Sequence, residues 1–308
     1  MASIKTLAAA ALLLFVAPAL RAGALSSSAP SSTAPNSTVQ NTARVAARAP
    51  SANASKASDA SKFAAPAAPA PRAASGERVE LSAAEDKRTI VGTFWAPKSS
   101  GGNIAPGVVI VHQPGGHRDD LTEVAVRLHK QGFAVLAIDL RAHGESVGTD
   151  KPWHELTEDE RTRMWAFALR DLRGGAAWLQ KQTGVHSSNV SLVGDRAGCT
   201  LVVRHATRDE NVRAIVLLDP PREQLGFNLA KDIESLAGLP TLLAASKESQ
   251  SNAQAIADDS ARANDGLKFI EIAIFKGMVT TPPTELDKNL TAQISKFLAD
   301  KAMLKKAK

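Results

Sequence analysis

The sequence from residue 77 onward predicts an α/β fold, in which a mostly parallel central sheet carries helices on both faces. Six short apolar runs alternate with longer amphipathic stretches. Continuous apolar runs are typical of strands that are buried on both faces, as in a parallel sheet. Strands that alternate with helices need crossover connections, and these connections cover the two faces of the sheet.

The predicted strands and helices follow one another along the whole region. The apolar runs cover residues 108–111, 134–138, 190–193, 214–218, 241–244 and 269–275, and the helical patterns cover residues 121–130, 158–182, 198–206, 252–264 and 286–305. Two earlier segments, 78–81 and 89–95, alternate apolar and polar residues. This alternation predicts an antiparallel hairpin at one edge of the sheet. The region is long enough to bury one sizeable core.

Residues 1–24 have the composition of an export signal. Lys5 supplies a positive start, residues 7–20 are apolar, and Ala22-Gly23-Ala24 matches a small-residue cleavage site. The apolar stretch is shorter than the roughly 20 residues that span a membrane. The sequence therefore predicts an exported protein, periplasmic or secreted, with no transmembrane span after the signal is removed. The alternative is an uncleaved N-terminal anchor.

Residues 25–76 form a separate segment of low complexity, in which 34 of 52 residues are Ala, Ser or Pro. Such a segment buries too little apolar surface to offset its ordering entropy, so we expect a disordered linker. The organisation predicted is thus a signal peptide at 1–24, a linker at 25–76 and one folded domain at 77–308.

The charge distribution excludes one class of function. The formal net charge of +6 lies entirely in residues 1–76, which hold seven basic residues and one acidic residue. The predicted domain is therefore neutral, and the basic isoelectric point gives no reason to expect nucleic-acid binding. A single cysteine, Cys199, also excludes an intramolecular disulfide or a cysteine-rich metal site.

Polar loops follow the predicted strands, and these loops are where ligands of an open α/β sheet bind. Three of them carry distinctive motifs. The motifs read HQPGG at 112–116, DLRAHGES at 139–146 and GDRAG at 194–198. The last motif runs directly into a predicted helix.

The order of these motifs resembles the α/β-hydrolase fold from residue 77 to the C-terminus. VVIVHQPGG is similar to the third strand and oxyanion loop, FAVLAIDLRAHGES to the fourth strand with its D-x-R-G-H-G-x-S signature, and VSLVGDRAG to the fifth strand and nucleophile elbow. Within that fold, the chain most resembles small bacterial hydrolases of the dienelactone-hydrolase kind, which have no cap domain. The resemblance implies a nucleophile, an acid and a histidine base.

The positions that the resemblance assigns to these three groups hold other residues. Arg196 stands at the centre of the elbow pattern, Ser249 at the acid position with Glu248 next to it, and Thr280 at the base position with Val279 as the alternative. A guanidinium is always protonated and cannot act as a nucleophile. The last histidine of the sequence is His205, so none follows the final strand. The sequence therefore predicts a degenerate triad and no catalytic residues at these positions.

The prediction is a non-catalytic binding protein, a pseudo-hydrolase. Its candidate binding residues are Arg196, His112, Gln113 and His117. A guanidinium at a helix N-terminus favours a small anionic ligand. The opposing interpretation is that Arg196 is a remnant, paired internally with Asp195 or Glu145.

Two further interpretations stay open. The first is a hydrolase of small ester, lactone or acyl substrates that uses non-standard residues, such as Cys199 with His112 or His117. The second is a structural envelope protein tethered by its linker. The sequence indicates no cofactor, no metal site and no identifiable protein partner. Asp119 and Asp120 precede a predicted helix, where a carboxylate more often caps the helix than binds a metal.

Overall fold

The structure is a computed structural model, and it describes residues 76–97, 104–236, 238–275 and 288–302. The chain divides into two units, Met1–Ala67 and Ala68–Lys308, and all described residues belong to the second. The predicted signal and all but the last residue of the predicted linker therefore lie outside the described residues.

Among the described residues, eight strands form one sheet, and two shorter strands form a separate ribbon. They are β1 (Glu77–Ser82), β2 (Thr89–Trp95), β3 (Ala105–Val111), β4 (Ala134–Ile138), β5 (Val185–Asp195), β6 (Val212–Leu218), β7 (Glu223–Gln224), β8 (Phe227–Asn228), β9 (Thr241–Ser246) and β10 (Ile270–Phe275). The order in the sheet is β1-β2-β4-β3-β5-β6-β9-β10. The first two strands run antiparallel at one edge, and the other six are parallel.

Helices follow the strands as the alternating pattern predicts. They are α1 (Thr122–Lys130), α2 (Glu158–Leu179), α3 (Gly198–Ala206), α4 (Leu229–Asp232), α5 (Gln250–Ala263) and α6 (Lys288–Ala302). The longest helix, α2, begins with a reciprocal cap, in which the Thr157 side chain accepts from the Glu160 N–H and the Glu160 carboxylate accepts from the Thr157 N–H. This cap satisfies two backbone donors that a helix start leaves without partners.

The sheet separates two apolar cores. Val109 and Val111 of β3 face the core that α2, α3 and α5 cover, whereas Val108 and Ile110 face the core that α1 and α6 cover. Successive side chains of one strand thus enter opposite cores, which explains why the runs are apolar throughout. The predicted fold class is confirmed.

Three details differ from the sequence-based expectation. Strand β5 begins at Val185, five residues before the apolar run, and helix α2 ends at Leu179 rather than at residue 182. The ribbon β7–β8 and the short helix α4 were not predicted, because segments of two to four residues give no periodic pattern. Across the described ranges, no helix has the length and apolar character needed to cross a bilayer.

Candidate functional site

The turn between β5 and α3 places Arg196 at the carboxyl edge of the sheet. Strand β5 ends at Asp195, and α3 begins at Gly198. Arg196 has a φ of 45°, in the left-handed region that non-glycine residues rarely adopt. Its N–H donates to the carbonyl of Leu218 at 2.8 Å, and its carbonyl accepts from the N–H of Cys199 at 3.0 Å. This is the sharp strand-to-helix turn of a nucleophile elbow, with Arg196 at its apex.

Two glycines allow this turn to pack closely. A Cβ atom on Gly194 would lie 2.8 Å from the backbone nitrogen of Cys199. A Cβ atom on Gly198 would lie 2.8 Å from the carbonyl oxygen of His112, at the end of β3. Both contacts are shorter than real Cβ contacts and involve backbone, which cannot yield cheaply. The elbow geometry therefore depends on both glycines of the motif.

The Arg196 guanidinium is partly buried, with 21% of its side chain exposed. Its Nη1 donates to Oε1 of Gln113 at 2.6 Å and lies 3.7 Å from Oδ2 of Asp195. Of the two internal partners expected from the sequence, Asp195 is near and Glu145 is not. The Glu145 carboxylate instead pairs with Arg78 and Arg118. The structure thus brings Arg196 and Gln113 together.

The sequence predicted Asp195 only as an internal partner of Arg196. The Asp195 side chain is 2% exposed, and its buried Oδ1 has no hydrogen-bond partner among the described residues. Burial raises the pKa of Asp195 to about 7, an effect that the charge of Arg196 opposes and that Asp120 and Asp219 reinforce. A carboxyl group that changes protonation near neutral pH therefore lies directly beside the elbow arginine.

In His112 and in His143, each of the two ring nitrogens makes a hydrogen bond to a backbone group. Nε2 of His112 accepts from the N–H of Leu140 at 3.0 Å, so Nδ1 carries the hydrogen and donates to the Gln113 carbonyl at 2.6 Å. His143 repeats this pattern with the Gly115 N–H and the Arg141 carbonyl. Both ring nitrogens of His112 are therefore occupied by backbone groups, and its place among the ligand-binding residues stays a prediction.

Burial keeps both imidazoles neutral at physiological pH. Burial lowers the pKa of His112 to about 4, and it lowers the pKa of His143 to about 3 with a further contribution from His112. The two ring centroids lie 4.8 Å apart. Neither residue can accept a proton at neutral pH without losing a backbone hydrogen bond.

His117 has a different environment from the other two histidines. Its side chain is half-exposed, and its Nε2 lies 3.3 Å from Oδ1 of Asp120. The residue caps the short turn Arg118–Leu121, in which Asp120 supplies the reciprocal bond to the His117 N–H. The expectation that Asp119 or Asp120 is the N-cap is therefore wrong, although Asp120 does take part in the cap.

Cys199 lies in the first turn of α3 and is buried. Its Sγ is 3.2 Å from the carbonyl oxygen of Gly194. Burial raises the pKa of its thiol well above the ordinary value, and the Asp195 carboxylate adds to this effect. Within the described part of the chain, neither His112 nor His117 makes a hydrogen bond to this thiol.

The remaining predicted positions are only partly described. Ser249 precedes α5, and its Oγ accepts from Oγ of Ser246 at 3.1 Å. Asp219, which follows β6 with a φ of 44°, accepts from the Ser246 N–H at 2.7 Å and was missed in the sequence. Thr280 lies outside the described residues. In the described ranges, no cluster of three or more His, Cys, Asp or Glu side chains has a metal-binding arrangement.

The sheet order and the elbow turn define an α/β-hydrolase fold. The sequence model of the dienelactone hydrolase family matches residues 91–256, which is more than half of the chain, and the protein belongs to this family.

Two uncharacterised proteins from Mycobacterium tuberculosis strains are 28% identical to the chain over 130 residues, covering 42% of this chain and 41% of each relative. The chain thus spans about two fifths of the length of these curated relatives.

Solved structures share the fold at low sequence identity. An esterase from Pyrococcus furiosus is 17% identical with a TM-score of 0.55, covering 74% of this chain and 91% of the esterase. A dienelactone hydrolase from Anabaena variabilis is 19% identical with a TM-score of 0.54, covering 74% of this chain and 98% of that enzyme. At these identities the similarity establishes the fold, while function has to be argued from the site.

Proposed function

We propose that this member of the dienelactone hydrolase family is an exported binding protein that has lost the nucleophile and base of its fold. The observation that carries the proposal is Arg196 at the elbow apex. The backbone there keeps the turn that presents a nucleophile in this fold, but the side chain presented is a guanidinium. This group has no lone pair to attack an acyl carbon, and it cannot form an acyl-enzyme.

The histidines support the same conclusion. A general base must exchange a proton near the working pH, and it must reach the group that it deprotonates. His112 and His143 are kept neutral by burial, and both nitrogens of each ring are occupied by backbone groups. The sequence has no histidine after His205, so the base position of the fold is filled by another residue, which we assign to Thr280.

The environment of Cys199 weighs against the alternative of a hydrolase with non-standard residues. A cysteine nucleophile works as a thiolate, which needs a positive or polar surrounding and access to substrate. Cys199 is fully buried, and the charge that acts most strongly on its thiol is the Asp195 carboxylate, not a cation. The thiol therefore acts as a small apolar group that packs the first turn of α3.

The function that the site supports is recognition of a small anion. Gln113 fixes one end of the Arg196 guanidinium through Nη1, and the described residues supply no acceptor to Nε or Nη2. Two neighbouring guanidinium donors match the two oxygens of a carboxylate or another oxyanion. The positive end of α3, which begins two residues later, favours the same charge. His117 stays a predicted contributor at the rim.

Covalent labelling tests the loss of acyl chemistry. The wild-type protein and Arg196→Ser should both remain unlabelled by a fluorophosphonate probe and should not hydrolyse short-chain esters, because the single change restores no base. The triple variant Arg196→Ser, Ser249→Asp, Thr280→His is the smallest change expected to gain labelling. An adduct on any cleft residue of the wild type would overturn the proposal.

Ligand-dependent melting tests the binding function. Sulfate and short carboxylates should raise the melting temperature of the wild type, with a shift that fades as the salt concentration rises. Arg196→Ala should show no such shift. Equal responses from the two proteins would mean that Arg196 is not an anion-binding residue.

A further inference from the structure

Asp195 and Arg196 form an ion pair in which the carboxylate has few hydrogen bonds. Oδ2 of Asp195 lies 3.7 Å from Nη1 of Arg196, a nitrogen that already donates to Gln113. The other carboxylate oxygen, Oδ1, is buried and receives no hydrogen bond from the part of the chain that the structure describes. Ionised carboxylates in protein interiors are normally well hydrogen-bonded, because the desolvated charge is otherwise costly. The ionised form of Asp195 therefore depends mainly on the charge of Arg196.

The other described charges near Asp195 are negative. Asp120, in the short turn Arg118–Leu121, and Asp219, after β6, both disfavour the ionised form. Asp120 is itself held by His117, whose Nε2 is 3.3 Å from its Oδ1. Asp219 accepts a hydrogen bond from the Ser246 N–H. Arg196 is the single cation that acts on Asp195 among the residues that the structure describes.

We propose that an oxyanion bound by Arg196 is taken up together with one proton, which goes from solvent to the carboxylate of Asp195. This inference rests on the proposed function, because it concerns the same guanidinium. A ligand anion neutralises the charge of Arg196, which is the one cation among the described residues that compensates the Asp195 carboxylate. Protonation of Asp195 removes the repulsion between the two anions and restores the charge balance of the elbow.

In the free protein, Asp195 can exchange a proton with solvent near neutral pH. Burial raises the pKa of Asp195 to about 7, so the two protonation states have similar populations at that pH. Binding of an anion then raises the pKa further, and linkage requires that the ligand binds more tightly as the pH falls. The ligand class is therefore a small oxyanion that keeps its own charge between pH 6 and pH 8, as sulfonates, sulfates and simple carboxylates do.

Calorimetric titration with methanesulfonate and with sulfate tests this coupling, since neither probe titrates in the range used. For the wild type, the dissociation constant should rise about tenfold from pH 6 to pH 8, as expected for one proton and a free-state pKa near 7. Titration in two buffers of different ionisation enthalpy should show uptake of up to one proton per anion at pH 8. Asp195→Asn should bind with little pH dependence.

Matched variants separate this inference from the proposed function. Asp119→Asn removes one carboxylate from an exposed position on the same edge, and it should keep the pH dependence of the wild type. Wild-type binding without pH dependence or proton uptake would overturn the inference and leave the anion site in place, as would a full pH dependence in Asp195→Asn. Absence of wild-type binding at every pH, or equal binding by Arg196→Ala, would overturn the proposed function itself. If Asp195→Asn fails to fold, the proton count on His117→Gln decides the matter: uptake that persists in this variant supports Asp195, and uptake that disappears overturns the inference.

Discussion

Lowering the pH from 7 to 5 should destabilise the fold through His112 and His143. In the unfolded chain a histidine has a pKa near 6.5, whereas burial lowers the folded pKa of His112 to about 4 and that of His143 to about 3. The stability that these neutral histidines contribute is present above pH 6.5 and is lost as the pH falls through the folded values. Between pH 7 and pH 5 each histidine should cost about 2 kcal/mol of unfolding free energy.

Asp195 should act in the opposite direction over the same range. Its folded pKa of about 7 is raised above the unfolded value of 3.8, mainly by burial. Its contribution to stability is therefore fully present below pH 3.8 and is lost as the pH rises through 7. Through Asp195, acidification from pH 7 to pH 5 should therefore increase the unfolding free energy by about 2 kcal/mol. These three groups together should cost the wild type about 2 kcal/mol of unfolding free energy, and the two histidines alone should cost Asp195→Asn about 4 kcal/mol.

Denaturant unfolding at pH 7 and pH 5 measures these differences directly. The comparison uses the wild type, Asp195→Asn and the exposed control Asp119→Asn, with the slope of each transition checked for constancy. Asp119→Asn should follow the wild type. The reasoning would be refuted by an equal pH dependence in Asp195→Asn and the wild type, or by a wild type that is more stable at pH 5 than at pH 7.

Three further predictions concern packing and domain organisation. In urea titrations, Gly194→Ala should lower the unfolding free energy by at least about 2 kcal/mol or prevent folding, because its methyl group would meet the backbone of Cys199. The matched control is Gly175→Ala, whose methyl group would make ordinary contacts to Ile138. This variant should be neutral or more stable by up to about 1 kcal/mol. The buried Cys199 thiol should react with a thiol reagent only after unfolding, and rapid reaction of the native protein would contradict the burial. Removal of residues 1–76 should shift the melting temperature by only a few degrees, and a large shift would show that this segment packs on the domain.

The regular elements of the fold could be predicted because their signal is local. The apolar run at 134–138 coincides with β4, and the helix predicted at 198–206 coincides with α3. Both segments have one kind of periodicity with clear boundaries, so the pattern alone determines them. The start of β5 at Val185 could not be predicted, because residues 186–189 are polar and separate Val185 from the apolar run at 190–193.

The candidate site was predictable only as far as motifs define it. The position of Arg196 followed from the two glycines that flank it, since their spacing determines the elbow turn. The properties of Asp195 depend on Asp120 and Asp219, which come from other elements of the sheet edge. The double backbone bonding of His112 likewise depends on Leu140, which follows the neighbouring strand. Sequence reasoning has no access to such neighbours before the sheet order is known.

The elbow turn of this protein is a structural element whether or not it presents a nucleophile, and Arg196→Gly separates the two roles. The turn is held by the bond from the Arg196 N–H to Leu218 and by close packing of Gly194 and Gly198, none of which involves the arginine side chain. A non-glycine residue at a φ of 45° carries a conformational cost of about 1 kcal/mol, which glycine does not. Arg196→Gly should therefore be more stable than Arg196→Ala by roughly that amount, even though glycine is the more flexible residue in the unfolded chain. Both variants should lose the anion-dependent rise in melting temperature to the same extent. A glycine variant less stable than the alanine variant would mean that residue 196 is not held in the left-handed conformation, and the account of the site as a retained elbow would fail with it.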